Sequence, residues 1–203
     1  NDFYVLPRQS QLVIVNKTAT VSTSGTTSGT LDAAHVANSV ASLPAAASVP
    51  GEYWKVVNTS AAEDDYWVVS HTVSGVSTWV EAPKPGITAG LDATSMPHVL
   101  TRTSANNFTF GPAVYTERAV GDLATNPDPS FVGTKISFAF YHNNRLGFLS
   151  EDNVILSQPN QFFNFYVNSA VVQSDADPVD LNCSSLKPVN LTAAKPVTQG
   201  VVL

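Results

Sequence analysis

The chain has 203 residues, enough for one ordinary domain or two small ones around a real core. Hydrophobic residues make up 43%, which excludes a chain disordered by composition, and charged residues only 13%, about half the usual share. The net charge of −6 argues against a basic face that grips phosphates, no run of 18 apolar residues is present to span a membrane, and the single cysteine, Cys183, excludes an internal disulfide framework or a cysteine-rich zinc site.

Valine occurs 27 times and threonine 19 times. These β-branched side chains fit a pleated surface and lose rotamer freedom in helices, so the chain reads as mainly β, built of antiparallel sheets. Leu12, Val13, Ile14 and Val15 form the first strand signal. Residues 22–30 are Ser, Thr and Gly with nothing to pack, and read as an exposed loop. One short helix is expected over residues 31–43. Thr30 stands at its cap, Asp32 in its first turn, Val36, Val40 and Leu43 recur at helical spacing, and Pro44 stops it.

Strands are expected at 53–57, 66–69 and 76–80, a meander whose turns are residues 61–65 and Ser74-Gly75. Its aromatics, Tyr53, Trp54, Tyr66, Trp67 and Trp79, need cover from more chain or from a neighbour. Beyond a looser stretch at 87–112, Asn126-Pro127-Asp128-Pro129 is a rigid turn segment. Ile136, Phe138 and Phe140 alternate with smaller residues in strand period. Residues 142–148 read as a short helix or turn, 154–156 as a strand, and 162–167 as a segment buried on both sides. Both ends, Asn1 and the apolar Gly200-Val201-Val202-Leu203, read as cuts in a longer protein.

Candidate chemistry is sparse. His35, His71, His98 and His142 are scattered without ligand spacing, so no metal is expected. There is no nucleophile-elbow serine, no phosphate-cradling glycine loop and no dinucleotide fingerprint, so neither catalytic residues nor a cofactor are assigned. Asp175, Asp177 and Asp180 crowd six residues but lack the glycine and closing glutamate of a calcium loop; they read as caps of their own turns. Five Asn-x-Ser/Thr sequons, at Asn16, Asn58, Asn107, Asn182 and Asn190, read as chance matches in a chain rich in these residues. Arg118 and Arg145, two of only four arginines, sit among apolar residues and read as ion-paired braces, with Asp122, Asp128 or the aspartate cluster as partners.

A series of strings then stands out. Gly121-Asp122, Thr125-Asn126-Pro127, Pro129-Ser130-Phe131-Val132-Gly133, Asn144-Arg145-Leu146-Gly147-Phe148-Leu149-Ser150, Asn153-Val154-Ile155-Leu156-Ser157, the aromatic run at 162–165 and the aspartates at 175–180 follow in this order. Weaker matches are Asp64-Asp65-Tyr66-Trp67-Val68, Trp79-Val80-Glu81, Pro85-Gly86 and Met96-Pro97-His98-Val99-Leu100 upstream, and 182–186 and 201–203 downstream. The series resembles the tail tubular protein B, or nozzle, family of short-tailed podophages.

That resemblance implies part of a larger platform and propeller-type subunit in the virion tail. Residues 1–117 would form a β-rich outer or platform region, and 118–203 would lead into a further β domain. It also implies a sixfold ring of copies that docks on the tail adaptor, lies near the tail fibres and passes phage DNA without sequence-specific binding. Arg118, Asp122, Asn144, Arg145, Asp175, Asp177 and Asp180 would serve assembly. Two other readings of the residues stay open: a β module that binds surface sugar through its aromatics, and a hydrolase that uses the aspartate cluster.

Overall fold

The computed structural model describes residues 2–58, 61, 64–183, 190–198 and 200–203. Parts of two expected features, the 61–65 turn and the 182–186 stretch, lie outside the described residues. Two four-stranded antiparallel sheets dominate. The first orders its strands β1-β2-β9-β10 and is built from β1 (Phe3–Arg8), β2 (Gln11–Asn16), β9 (His98–Arg102) and β10 (Phe108–Pro112). The second orders β11-β12-β13-β14, from β11 (Ile136–His142), β12 (Arg145–Ser150), β13 (Asn153–Leu156) and β14 (Val179–Asn182).

Between β2 and β9 the chain makes an excursion. It leaves along β3 (Thr23–Thr26) and returns along β8 (Thr88–Leu91), and these two pair with each other as a neck. Beyond the neck stands a third sheet, β4 (Val36–Ala37), β5 (Tyr53–Val56), β6 (Tyr66–Val73) and β7 (Val76–Ala82), in which β4 runs parallel to β5 and the rest is an antiparallel meander. A last hairpin, β15 (Lys195–Val197) with β16 (Gly200–Val202), completes the strands.

The fold is mainly β and antiparallel, as composition dictates, but the helix over 31–43 does not form. Val36–Ala37 is a strand, and the only helical turns nearby are 3-10 turns at Val40–Ser42 and Ala46–Ser48. Helical spacing stabilises a helix only if its apolar stripe is buried. Here Val36 and Val40 are exposed, and local side-chain bonds capture the backbone instead: Asp32 accepts from Ala34 N at 2.9 Å, and Ser42 Oγ donates to Ser39 O at 2.8 Å. This irregular segment is the cover that the meander's aromatics require. The His35 ring stacks on Trp54 at 4.6 Å, Trp79 Nε1 donates to Pro44 O at 3.0 Å, and Trp67 is buried.

One further segment differs from expectation. The loop at 22–30 contains strand β3, because a neck needs backbone pairing even where side chains stay outside. Of the two readings of 142–148, helix or turn, the structure has the turn: Asn143 and Asn144 both take positive φ, 46° and 58°, and turn β11 straight into β12, whose strand takes up the rest of the segment.

The first two sheets share a core. Val15 of β2, Ile136 and Ala139 of β11, Leu146 and Phe148 of β12 and Ile155 of β13 meet Phe131, Phe165 and Tyr166 from the loops. A smaller cluster on the opposite side of the second sheet holds Phe140, Leu149, Val154 and Leu191. Strand β12 therefore serves both faces, and each of its six residues is buried. In the first sheet the register aligns Val5, Ile14, His98 and Pro112 in one row and Pro7, Leu12, Leu100 and Phe110 in the next, on the face turned away from the core.

Gly147 sits at the middle of β12, where a Cβ would collide with the Phe140 ring and lie 2.7 Å from Leu156 Cδ2. Phe140 is a buried core side chain, and Leu156 packs beside it half-buried. Gly147→Ala is expected to destabilise the chain by about 1–3 kcal/mol, read by chemical denaturation.

Candidate assembly site

The loops between the sheets are held by buried polar groups, among them the charged Arg118. Its side chain has no exposed surface, and a buried guanidinium needs a partner. Nη2 donates to Asp128 Oδ1 at 2.7 Å, Nε donates to Thr88 O at 3.2 Å, and the guanidinium lies over the Tyr166 ring at 4.8 Å. Asp128 also accepts from Tyr166 OH at 3.0 Å and Thr88 Oγ1 at 3.2 Å. One ion pair thus ties β8, the 118–128 loop and the 162–167 segment together. Burial first, and then the Asp128 carboxylate, push the Tyr166 hydroxyl well above its ordinary pKa.

Asp122 is not the ion partner; it contributes its carbonyl to Arg118 at a long 3.5 Å. Its carboxylate caps its own turn, accepting from Ala124 N at 2.9 Å and Thr125 N at 3.1 Å. Burial raises this carboxyl, but the amides and the Thr125 hydroxyl outweigh burial and hold it below the ordinary value. Next to it Asn126, almost fully buried, donates to Val120 O at 2.9 Å and accepts from Val167 N at 3.1 Å.

Arg145 is braced differently from expectation. Among the described residues it pairs with no carboxylate: Nη1 donates to Ser157 O at 2.9 Å and to Asp177 O at 2.6 Å, and Nη2 donates to Asp175 O at 2.5 Å. The fork of N–H groups matches main-chain carbonyls presented by a loop folded back over β12. Two of the aspartate side chains are engaged elsewhere. Asp177 accepts from Ser174 N at 2.8 Å, and Asp180 holds the 129–131 turn through Ser130 N at 2.8 Å and Ser130 Oγ at 2.7 Å. Asn144 shapes the β11–β12 turn, and its carbonyl accepts from Asn160 N at 2.7 Å. Among the described residues no group of three or more His, Cys, Asp or Glu comes together to hold a metal ion, and no helix is long and apolar enough to cross a membrane.

Three buried or bridging groups escape sequence reading. Glu81 on β7 accepts from Ser169 Oγ at 2.7 Å and Ala170 N at 2.8 Å, fastening the third sheet to the 167–173 loop. Gln158 donates to Tyr166 O at 2.8 Å, and Thr88 contacts both members of the Arg118 pair. Only Gln158 carried a signal, as a polar residue flanked by strongly apolar strings.

The sequence profile of the bacteriophage nozzle protein family matches residues 2–203, which include every brace described above. The chain belongs to that family. It is also 35% identical over 170 residues, 83% of its length, to the tail tubular protein gp12 of Escherichia phage T7. It spans 21% of the length of that relative. This nozzle-family chain is thus a structural protein of the virion tail, and its most enclosed polar side chains join segments to one another.

The two arginines should respond differently to mutation. Asp128→Ala strands a buried guanidinium and is expected to cost about 3–5 kcal/mol. Arg145→Ala strands neutral carbonyls, at about 1–3 kcal/mol for each one left dry. Denaturant titration of each variant measures both. The pH response follows from Tyr166. Its pKa is raised on folding, so its contribution is complete below the unfolded value of about 10 and is lost as pH climbs toward the folded value. Alkaline unfolding should therefore begin above pH ~10, and Tyr166→Phe should flatten that limb of the stability curve.

Proposed function

We propose that the chain forms part of the wall of a homo-hexameric nozzle tube that docks on the tail adaptor and conducts the genome out of the particle. The observation that carries this reading is the family match across residues 2–203, joined to a site chemistry of internal bracing. In it, Arg118, Asp122, Asn144, Arg145, Asp175, Asp177 and Asp180 keep the loops rigid so that subunits and domains keep their register. Residues 1–117 serve as the outer or platform region, and 118–203 lead into a further β domain, of propeller type, in the complete subunit. The low charge suits a part that lives in permanent contact with neighbours, where interfaces resemble a divided core. The acidic balance suits a conduit, since a basic wall would hold DNA by its phosphates and slow its passage. Tail fibres are neighbours near the adaptor junction, and the DNA is cargo in transit with no base-specific contact.

Native mass measurement and negative-stain imaging of the full-length protein, alone and with its adaptor, test the reading. A closed ring of six copies is the expected outcome. A chain that stays single in the presence of the adaptor overturns it.

A further inference from the structure

Three of the four arginines use their N–H groups inside the chain. Arg118 and Arg145 do so as described above, and Arg102 donates to Ser104 O and Ala105 O, each at 3.1 Å. Arg8 differs. Among the described residues its guanidinium has neither a hydrogen-bond acceptor nor a carboxylate partner. Yet it is no loose surface group. Strand alternation puts Arg8 on the same side of β1 as Tyr4 and Leu6, which pack on the shared core, and it is half-buried. Its guanidinium lies 3.8 Å from the centre of the Phe162 ring and 5.6 Å from that of Tyr141, two rings that meet edge to face at 5.5 Å. Attraction to the ring faces holds the cation in place without using any of its N–H groups.

Arg8 and both rings line a depression of about 400 Å³ where two hairpin tips come together. Gln9 enters it from the β1–β2 turn, and His142, Asn143 and Asn144 from the β11–β12 turn. Each of these four side chains can donate an N–H, and none makes a side-chain hydrogen bond among the described residues. No acid and no lysine lines the depression there. A fixed fork of N–H groups with further donors around it and no carboxylate of its own is complementary to a planar anion. The number of cations decides which anion. Gripping a nucleic-acid backbone takes several Lys or Arg along the strand, and this site has one. One guanidinium matches one carboxylate, through two parallel N–H···O bonds.

We infer that Arg8 anchors an Asp or Glu side chain from a part of the same subunit outside these 203 residues. The strength of such a contact selects its source. A part-exposed ion pair shifts an equilibrium by roughly fivefold at most. That is far too little to bring two free molecules together, which first lose their independent motion. It suffices where the acid is already tethered nearby at high effective concentration. The chain spans 21% of the length of its T7 relative, and the other parts of so long a subunit are tethered in that way. The inference rests on the reading above that the chain is one part of a larger subunit, and it holds whatever the number of copies in the ring.

The test uses the full-length protein carrying Arg8→Lys, which keeps the cation and supplies an amine. A carbodiimide couples an amine to a carboxylate in contact with it, forming an amide with net loss of water. Peptide mapping by mass spectrometry should find position 8 joined to one Asp or Glu beyond these 203 residues. In mixtures of isotope-labelled and unlabelled chains, both linked peptides should carry the same label. The yield should fall severalfold at about 1 M salt. Replacing Arg8 and the captured acid by Ala, singly and together, should then show a coupling of roughly fivefold in the hydrogen-exchange rate of the segment that bears the acid. No link at position 8, a link between differently labelled chains, a link to an acid within the 203 residues, or single effects that add without coupling each overturn the anchor. If the link forms as expected but native mass shows no six-membered ring, the anchor stands and the ring reading fails alone. If rings form and position 8 captures nothing, the anchor fails alone.

Discussion

A buried guanidinium cannot be left alone. Arg118 has no exposed side-chain surface, and its charge is tolerable only because Asp128, the Thr88 carbonyl and the Tyr166 ring surround it. Satisfying that one group commits three distant stretches of chain: the neck strand β8, the proline-rich turn at 126–129 and the aromatic segment at 162–167. The aromatic segment then places Phe165 and Tyr166 in the shared core, where Phe165 stands 5.3 Å from Phe131 and 5.4 Å from Phe148. Electrostatic necessity and apolar packing point to the same arrangement, which is what a chain with one native structure requires.

The second sheet follows the same logic with neutral acceptors. β12 is covered on both faces, so its neighbours need cover as well, and the long connection from β13 to β14 supplies part of it. That connection has no regular structure of its own. Arg145 holds it down by its carbonyls, and Asp180, in β14 just beyond its end, bonds the 129–131 turn. Loops of this kind are ordinarily the mobile parts of a β protein. Here hydrogen bonds to buried side chains make them structural.

The strand at 136–140, the apolar string at 12–15 and the meander were legible in the sequence, because two-residue periodicity and turn residues at fixed offsets act locally, but a bulge after Ile136 puts that side chain on the face opposite Phe140. The signature strings also pointed to the family. The helix over 31–43 was misread: Val36, Val40 and Leu43 satisfy a helical period, yet what decides the segment is the aromatic surface of the third sheet, which appears in sequence only twenty residues later. The partners of Arg145 were beyond reach for a related reason. Sequence displays carboxylates as candidate partners for a cation, but every residue carries a carbonyl, and which of them converge is settled by how a loop folds back. Glu81 and Thr88 are ordinary strand residues whose roles exist only because the 167–173 loop and Arg118 are brought to them.

The order of strands in the first sheet has a consequence for synthesis. β2 pairs with β9, and Gln11 Nε2 reaches Thr101 Oγ1 ninety residues further along. The whole third sheet lies between the two. While a ribosome adds those residues, the β1–β2 hairpin waits without β9 for several seconds at ordinary elongation rates. Closing so distant a ladder is slow in itself. The nascent chain therefore has a vulnerable interval that ends only when β9 emerges, during which premature cleavage or chaperone capture competes with folding.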